Sequence, residues 1–146
     1  MHRIFLVLLA CGLAQQAQAQ QPVDTFAKCL AENTTGRDRK DLARWVFVAM
    51  GAHPEMRAIA TLPASAAEQA SVVTGQLFTR LVAESCAAEA KTAVKAVGPS
   101  AIQSAFAVLG QLAMQELMTD KDVSAAMGAV EKHIDAGKIQ AVFGSP

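Results

Sequence analysis

The stretch Ser65-Ala66-Ala67-Glu68, continuing through Val72-Val73-Thr74-Gly75-Gln76-Leu77-Phe78-Thr79-Arg80-Leu81-Val82-Ala83-Glu84-Ser85-Cys86, decides the fold class. Ser65 and Glu68 have the spacing of a capping box, in which a hydroxyl and a carboxylate satisfy orphan amides at a helix start. Val73, Leu77, Phe78, Leu81, Val82 and Cys86 then recur at three- and four-residue steps, the signature of one helical face, with Arg80, Glu84 and Glu89 off it. The pattern predicts a helix from Ser65 towards Val97. A helix of that length is unusual in a globular domain, and a kink near Gly75 or Ser85 would relieve it. Gly98-Pro99 stops it, because Gly accepts the left-handed closing conformation and Pro cannot continue the ladder.

Outward from this helix, every periodic segment has helical period. Ser100 with Gln103 reads as a second capping box, opening a helix with Ile102, Ala105, Phe106, Leu109, Leu112, Ala113 and Leu117 on one face. Thr119-Asp120 caps another, expected to turn Val123, Ala126, Met127, Val130 and Ile134 inward, and a last turn from Lys138 is expected to dock Ile139, Val142 and Phe143. Upstream, Pro22 to about Glu32 forms a first short helix with Val23, Phe26, Ala27 and Leu30 together. Asn33-Thr34-Thr35-Gly36 is turn chemistry, with Thr35 placed to cap the next helix and Asp38 in its first turn. That helix runs to about Ala52. Its charged half carries an Arg37–Asp41 pair at i,i+4 spacing. Its second half (Leu42, then Trp45 to Met50) is apolar nearly all round, which predicts a central or sealed position. Pro54 restarts the chain as a short helix and Leu62-Pro63 ends it. The expectation is an all-α protein, a single compact bundle of five to seven helices.

Composition agrees. The chain has 146 residues, 52% hydrophobic and 18% charged, no Tyr and one Trp, so it is neither disordered nor rich in strand formers. Thirteen basic residues balance thirteen acidic ones, which argues against nucleic acid as a partner. Residues 1–19 read as a cleaved export leader: a basic start at His2-Arg3, an apolar run from Ile4 to Ala10, and Ala17-Gln18-Ala19 before the cut. That leaves residues 20–146 as the helical domain, with no transmembrane segment. A rival reading makes Cys11 a lipoprotein anchor. Once Cys11 leaves with the leader, Cys29 and Cys86 remain, and two thiols in an oxidising compartment predict a disulfide.

The run Cys29-Leu30-Ala31-Glu32-Asn33-Thr34-Thr35-Gly36-Arg37-Asp38-Arg39-Lys40-Asp41-Leu42, followed by Trp45-Val46-Phe47 and His53-Pro54-Glu55, resembles a group of small exported proteobacterial proteins. The resemblance implies an exported helical protein with these two cysteines. It supplies no activity and no site to carry over.

The sequence holds little catalytic equipment. There is no P-loop, dinucleotide fingerprint, H-E-x-x-H pair or G-x-S-x-G elbow, and no cofactor is expected. The sharpest constellation is Met50, His53 and Met56, two thioethers flanking an imidazole, a donor set suited to Cu(I). Its structural alternative packs Met50 inward and leaves His53 beside terminal carbonyls. Met114 and Met118 read as core filler, and Trp45 as a core anchor in preference to an interface residue. Arg37, Arg39, Lys40, Phe47 and Val48 form the candidate interaction surface. The reading is a non-enzymatic exported binding protein whose partner is another envelope protein or a second copy. The alternative is a carrier of an apolar small molecule between Ala-rich helices.

Overall fold

The computed structural model describes residues 20–144; the leader read at residues 1–19, Cys11 among them, lies outside the described residues. Eight α-helices appear among the described residues, and no strand. They are α1 (20–32), α2 (Gly36–Met50), α3 (Pro54–Arg57), α4 (Ala64–Thr79), α5 (Ala87–Val97), α6 (Ser100–Met118), α7 (Lys121–Gly128) and α8 (Ala136–Phe143). A π-helical turn at Arg80–Ser85 joins α4 to α5, and a 3₁₀ turn at Ala129–His133 follows α7. The all-α expectation holds, while the count exceeds five to seven because the expected Ser65–Val97 helix is divided into α4 and α5. Among the described residues no helix is long and apolar enough to cross a membrane.

The division after Thr79 has a sequence cause. The buried positions along this stretch are Leu77, Leu81, Cys86, Ala90 and Ala93, so one step is five residues long. An α-helix would turn Cys86 away from the stripe. The π turn, closed by Cys86 N–H donating to Leu81 O at 2.9 Å, absorbs the extra residue and keeps both side chains inward. Cys86 then pairs with Cys29 of α1, with their Cα atoms 5.9 Å apart. The expected kink therefore falls at Ser85–Cys86 and not at Gly75, and the Ser65–Val97 helix is not continuous.

α2 lies between α4 and α6, and α5 returns along α6. Phe26, Leu30, Leu81 and Leu109 are the large side chains at the centre. Half of the buried apolar positions are alanine (Ala27, Ala43, Ala70, Ala90, Ala93, Ala101, Ala105, Ala113). Alanines let helices approach closely but bring little transfer free energy each. The covalent link consequently matters: closing a loop of 57 residues stabilises the fold by about 4 kcal/mol in the chain-entropy picture.

A polar knot backs up the disulfide. Thr35 and Asp38 form a full capping box at the start of α2. The Asp38 carboxylate accepts from the Thr35 amide (2.8 Å), the Thr35 hydroxyl (2.8 Å) and the Arg80 guanidinium (3.1 Å). Burial pushes the Asp38 carboxyl up, but these donors outweigh it and hold the group below the usual carboxylate range. Arg80 also donates to Asn33 O, Arg39 donates to Thr34 O, and Asn33 Nδ2 donates to Cys29 O. The α1–α2 turn is thus gripped from three directions.

Several local expectations fail. Neither capping box at Ser65 nor at Ser100 forms: Pro63 and Pro99 occupy the N-cap positions, with no side-chain cap. Ser100 Oγ instead donates back to Val97 O. α2 is not sealed, since Trp45, Val46, Phe47 and Met50 all stand exposed, as do Met114 and Met118. Trp45 is a core anchor in no full sense, at 37% exposure. The largest departure is at the C-terminus. Asp120 and Asp135 cap α7 and α8 as short helices, but Met127, Val130, Ile134 and Ile139 are exposed, and Val142 and Phe143 are 79% and 82% exposed. Of residues 119–144 only Val123 is half-buried. These stripes have the expected periodicity and no core to meet.

Candidate functional site

α2 presents two faces. Leu42 and Ala43 turn inward against α6, while Trp45 and Val46 border an open groove between α2, α4 and α6. α4 contributes Ser71, Thr74, Gly75 and Phe78, and α6 contributes Phe106 and Gly110; the hollow measures about 470 Å³. Phe78 and Phe106 stack with ring centroids 4.6 Å apart, forming one wall. Past Val46 and Gly110 the groove continues into a second hollow of about 590 Å³, lined by Ala107, Gln111 and Met114.

Two glycines give the groove its depth. A Cβ built on Gly75 or Gly110 would meet nothing within 4 Å. Both sit inside helices, where Gly costs about 1 kcal/mol relative to Ala. No packing constraint at either position repels a methyl group, so the consequence of the missing side chain is open space. Ser71 and Thr74 interrupt the apolar lining. The Thr74 hydroxyl is buried without a hydrogen-bond partner.

The residues expected to form an interaction surface do not stay together. Arg39 is drawn into an ion pair with Glu116 at 3.3 Å and is spent on holding α2 to α6. Arg37 points to solvent, 3.9 Å from Asp41. Lys40 and Phe47 do meet, on a separate and more polar hollow of about 720 Å³ with Arg44, Glu116 and Val123. Val48 is half-buried. Trp45, Val46, Phe78 and Phe106, which line the apolar groove, were not read as a surface. The available signal was the pair of glycines interrupting two apolar helix faces.

Met50, His53 and Met56 occupy the α2–α3 connection. Met50 is exposed rather than packed inward, and His53 is the N-cap of α3, its Nδ1 accepting from the Glu55 amide at 3.3 Å. Cys29 and Cys86 are tied to each other and serve the fold. Among the described residues no group of three or more His, Cys, Asp or Glu side chains is assembled to hold a metal ion. No family model, curated protein or solved structure matches the chain.

Proposed function

We propose that the chain is an exported, non-enzymatic binding protein that receives an amphipathic helix of an envelope partner in the groove between α2, α4 and α6. The observation that carries this reading is the exposure of Trp45, Val46 and Phe78 around a hollow that Gly75 and Gly110 also line. A docked helix needs apolar anchors over about two turns. The two hollows follow α6 from Phe106 to Met114, a length of about 12 Å at 1.5 Å per residue. Trp and other aromatics in a concave apolar surface are where interface energy concentrates. The leader-like residues 1–19 and the Cys29–Cys86 disulfide support an oxidising compartment as the place of action.

The test is affinity capture from the envelope fraction with the wild type and Gly110→Leu in parallel. The variant fills the groove at a helical position with free space. A polypeptide retained by the wild type and lost from the folded variant supports the reading; equal capture contradicts it.

The unpartnered Thr74 hydroxyl favours a second reading, carriage of an apolar small molecule bearing one polar group. Native mass spectrometry of freshly purified protein separates the two. A bound lipid-like mass that Gly110→Leu abolishes would replace the protein partner with a ligand.

A further inference from the structure

We propose that the α7–α8 arm is a self-association surface: residues 121–144 of one chain pair antiparallel, about a two-fold axis, with the same residues of a second copy. The pairing is independent of the groove and of what the groove binds.

The arm stands off the bundle. Val123, half-buried, seats it beside Lys40 and Phe47 of α2, whereas the groove opens along Trp45 and Val46. Trp45 and Phe47 are two positions apart and point to different sides of α2, so the arm leaves on the flank away from the groove. Its two helices do not cover each other: Met127, Val130, Ile134, Ile139, Val142 and Phe143 all stay exposed, none below 47%. Ile139, Val142 and Phe143 follow i, i+3, i+4 spacing and share one face of α8. Helices of this length are marginal without packing. Asp120 and Asp135 cap them, and what they lack is an apolar face opposite.

The area fits a second copy. The six side chains leave on the order of 600 Å² of apolar surface in water, the upper end of what a soluble monomer carries in one patch. Pairing two such arms removes about 1,200 Å², where specific, stable interfaces begin.

The charges also choose the occupant. Lys121, Lys132 and Lys138 are balanced by Asp122, Glu131 and Asp135, so the arm has no basic excess with which to hold an anionic lipid surface. Its charges instead complement a reversed copy of themselves. With Glu131 of one chain opposite Lys138 of the other, the two-fold operation repeats the same pair on the far side of the axis, as an isologous contact requires. That register sets Met127 opposite Val142, Val130 opposite Ile139 and Ala126 opposite Phe143, and it places no like charges opposite each other. Lys138 reaches its own Asp135 at 3.4 Å across exposed surface, a contact worth little and readily exchanged.

The experiment is sedimentation velocity of the leaderless chain over a concentration series, with circular dichroism to confirm that each variant is folded. The expected result is a reversible monomer–dimer equilibrium in the micromolar range. Val142→Asp/Phe143→Asp should weaken it about a hundredfold by placing charge in the paired face, and Gly110→Leu in the groove should leave it unchanged. Glu131→Lys and Lys138→Glu should each weaken association about fivefold, and the two together should restore it. A chain that stays monomeric up to about 1 mM would overturn the proposal. So would a dimer indifferent to Val142→Asp/Phe143→Asp, a dimer abolished by Gly110→Leu, or a charge swap without recovery. A monomer that cosediments with phosphatidylethanolamine–phosphatidylglycerol vesicles, and loses them on Phe143→Asp, would overturn it in favour of a lipid surface.

Discussion

Residues 20–118 and residues 119–144 both carry helical stripes of large apolar side chains, but fully buried ones occur only in the first region. In the first, α1 is locked to the π turn by the disulfide, and α2 is pinned to α4, the π turn and α6 through Asp38, Arg80, Arg39 and Glu116. Each stripe faces another at fixed distance. In the second, α7 and α8 are eight residues each, separated by a 3₁₀ turn and an Asp135 cap, and among the described residues no disulfide or ion pair returns them to the bundle. Helices that short gain little from propensity alone. Periodicity identifies an apolar face, but burial requires a second face held opposite it.

That contrast predicts a graded response to mutation. The largest effect belongs to the staple: Cys29→Ala/Cys86→Ala should lose about 4 kcal/mol of unfolding free energy in denaturant titrations. A loss below about 1 kcal/mol would mean that packing alone sets the bundle. Next comes the residue that the π turn keeps inward. Leu81→Ala should cost about 2–5 kcal/mol, whereas Val142→Ala on α8 should stay within about 0.5 kcal/mol. Similar costs at both positions would erase the distinction between the regions.

The polar knot should give a smaller, pH-dependent signal. Arg80→Ala removes an ion pair and a backbone contact and should cost about 1–2 kcal/mol at neutral pH. Because the Asp38 carboxyl is held below its ordinary range, its contribution is complete above the unfolded value near pH 4. It is lost as pH falls through the lowered native value. The stability gap between wild type and Asp38→Asn should therefore close on acidification; a gap independent of pH would exclude Asp38 as its source. The smallest effect has the opposite sign. Gly110→Ala should gain up to about 1 kcal/mol, since its Cβ enters free space within a helix.

The sequence made the helical class, the Thr35–Asp38 cap, the Gly98-Pro99 stop and the Cys29–Cys86 pair readable, because each rests on local chemistry or on counting. The π turn was hidden in plain spacing: the step from Leu81 to Cys86 is one residue too long for an α-helical stripe, and the apolar Val82 masked it. The capping boxes at Ser65 and Ser100 misled because Pro63 and Pro99 were already positioned to start those helices. The groove was not legible for a different reason. Trp45, Phe78 and Phe106 look like core residues in their own segments, and only the crossing of three helices leaves them around an open hollow. Arg39 was misread for the same cause, since its partner Glu116 lies 77 positions away.

The most direct test of the account places a photo-crosslinking residue at three positions in living cells: Val46 in the groove, Lys91 on α5 away from it, and Val142 on α8. The account predicts one discrete adduct from Val46, lost when Gly110→Leu fills the groove, with no matching adduct from Lys91 or Val142. The same adduct from Lys91, or one from Val46 that persists in the folded Gly110→Leu variant, would contradict the groove as the working surface of this protein.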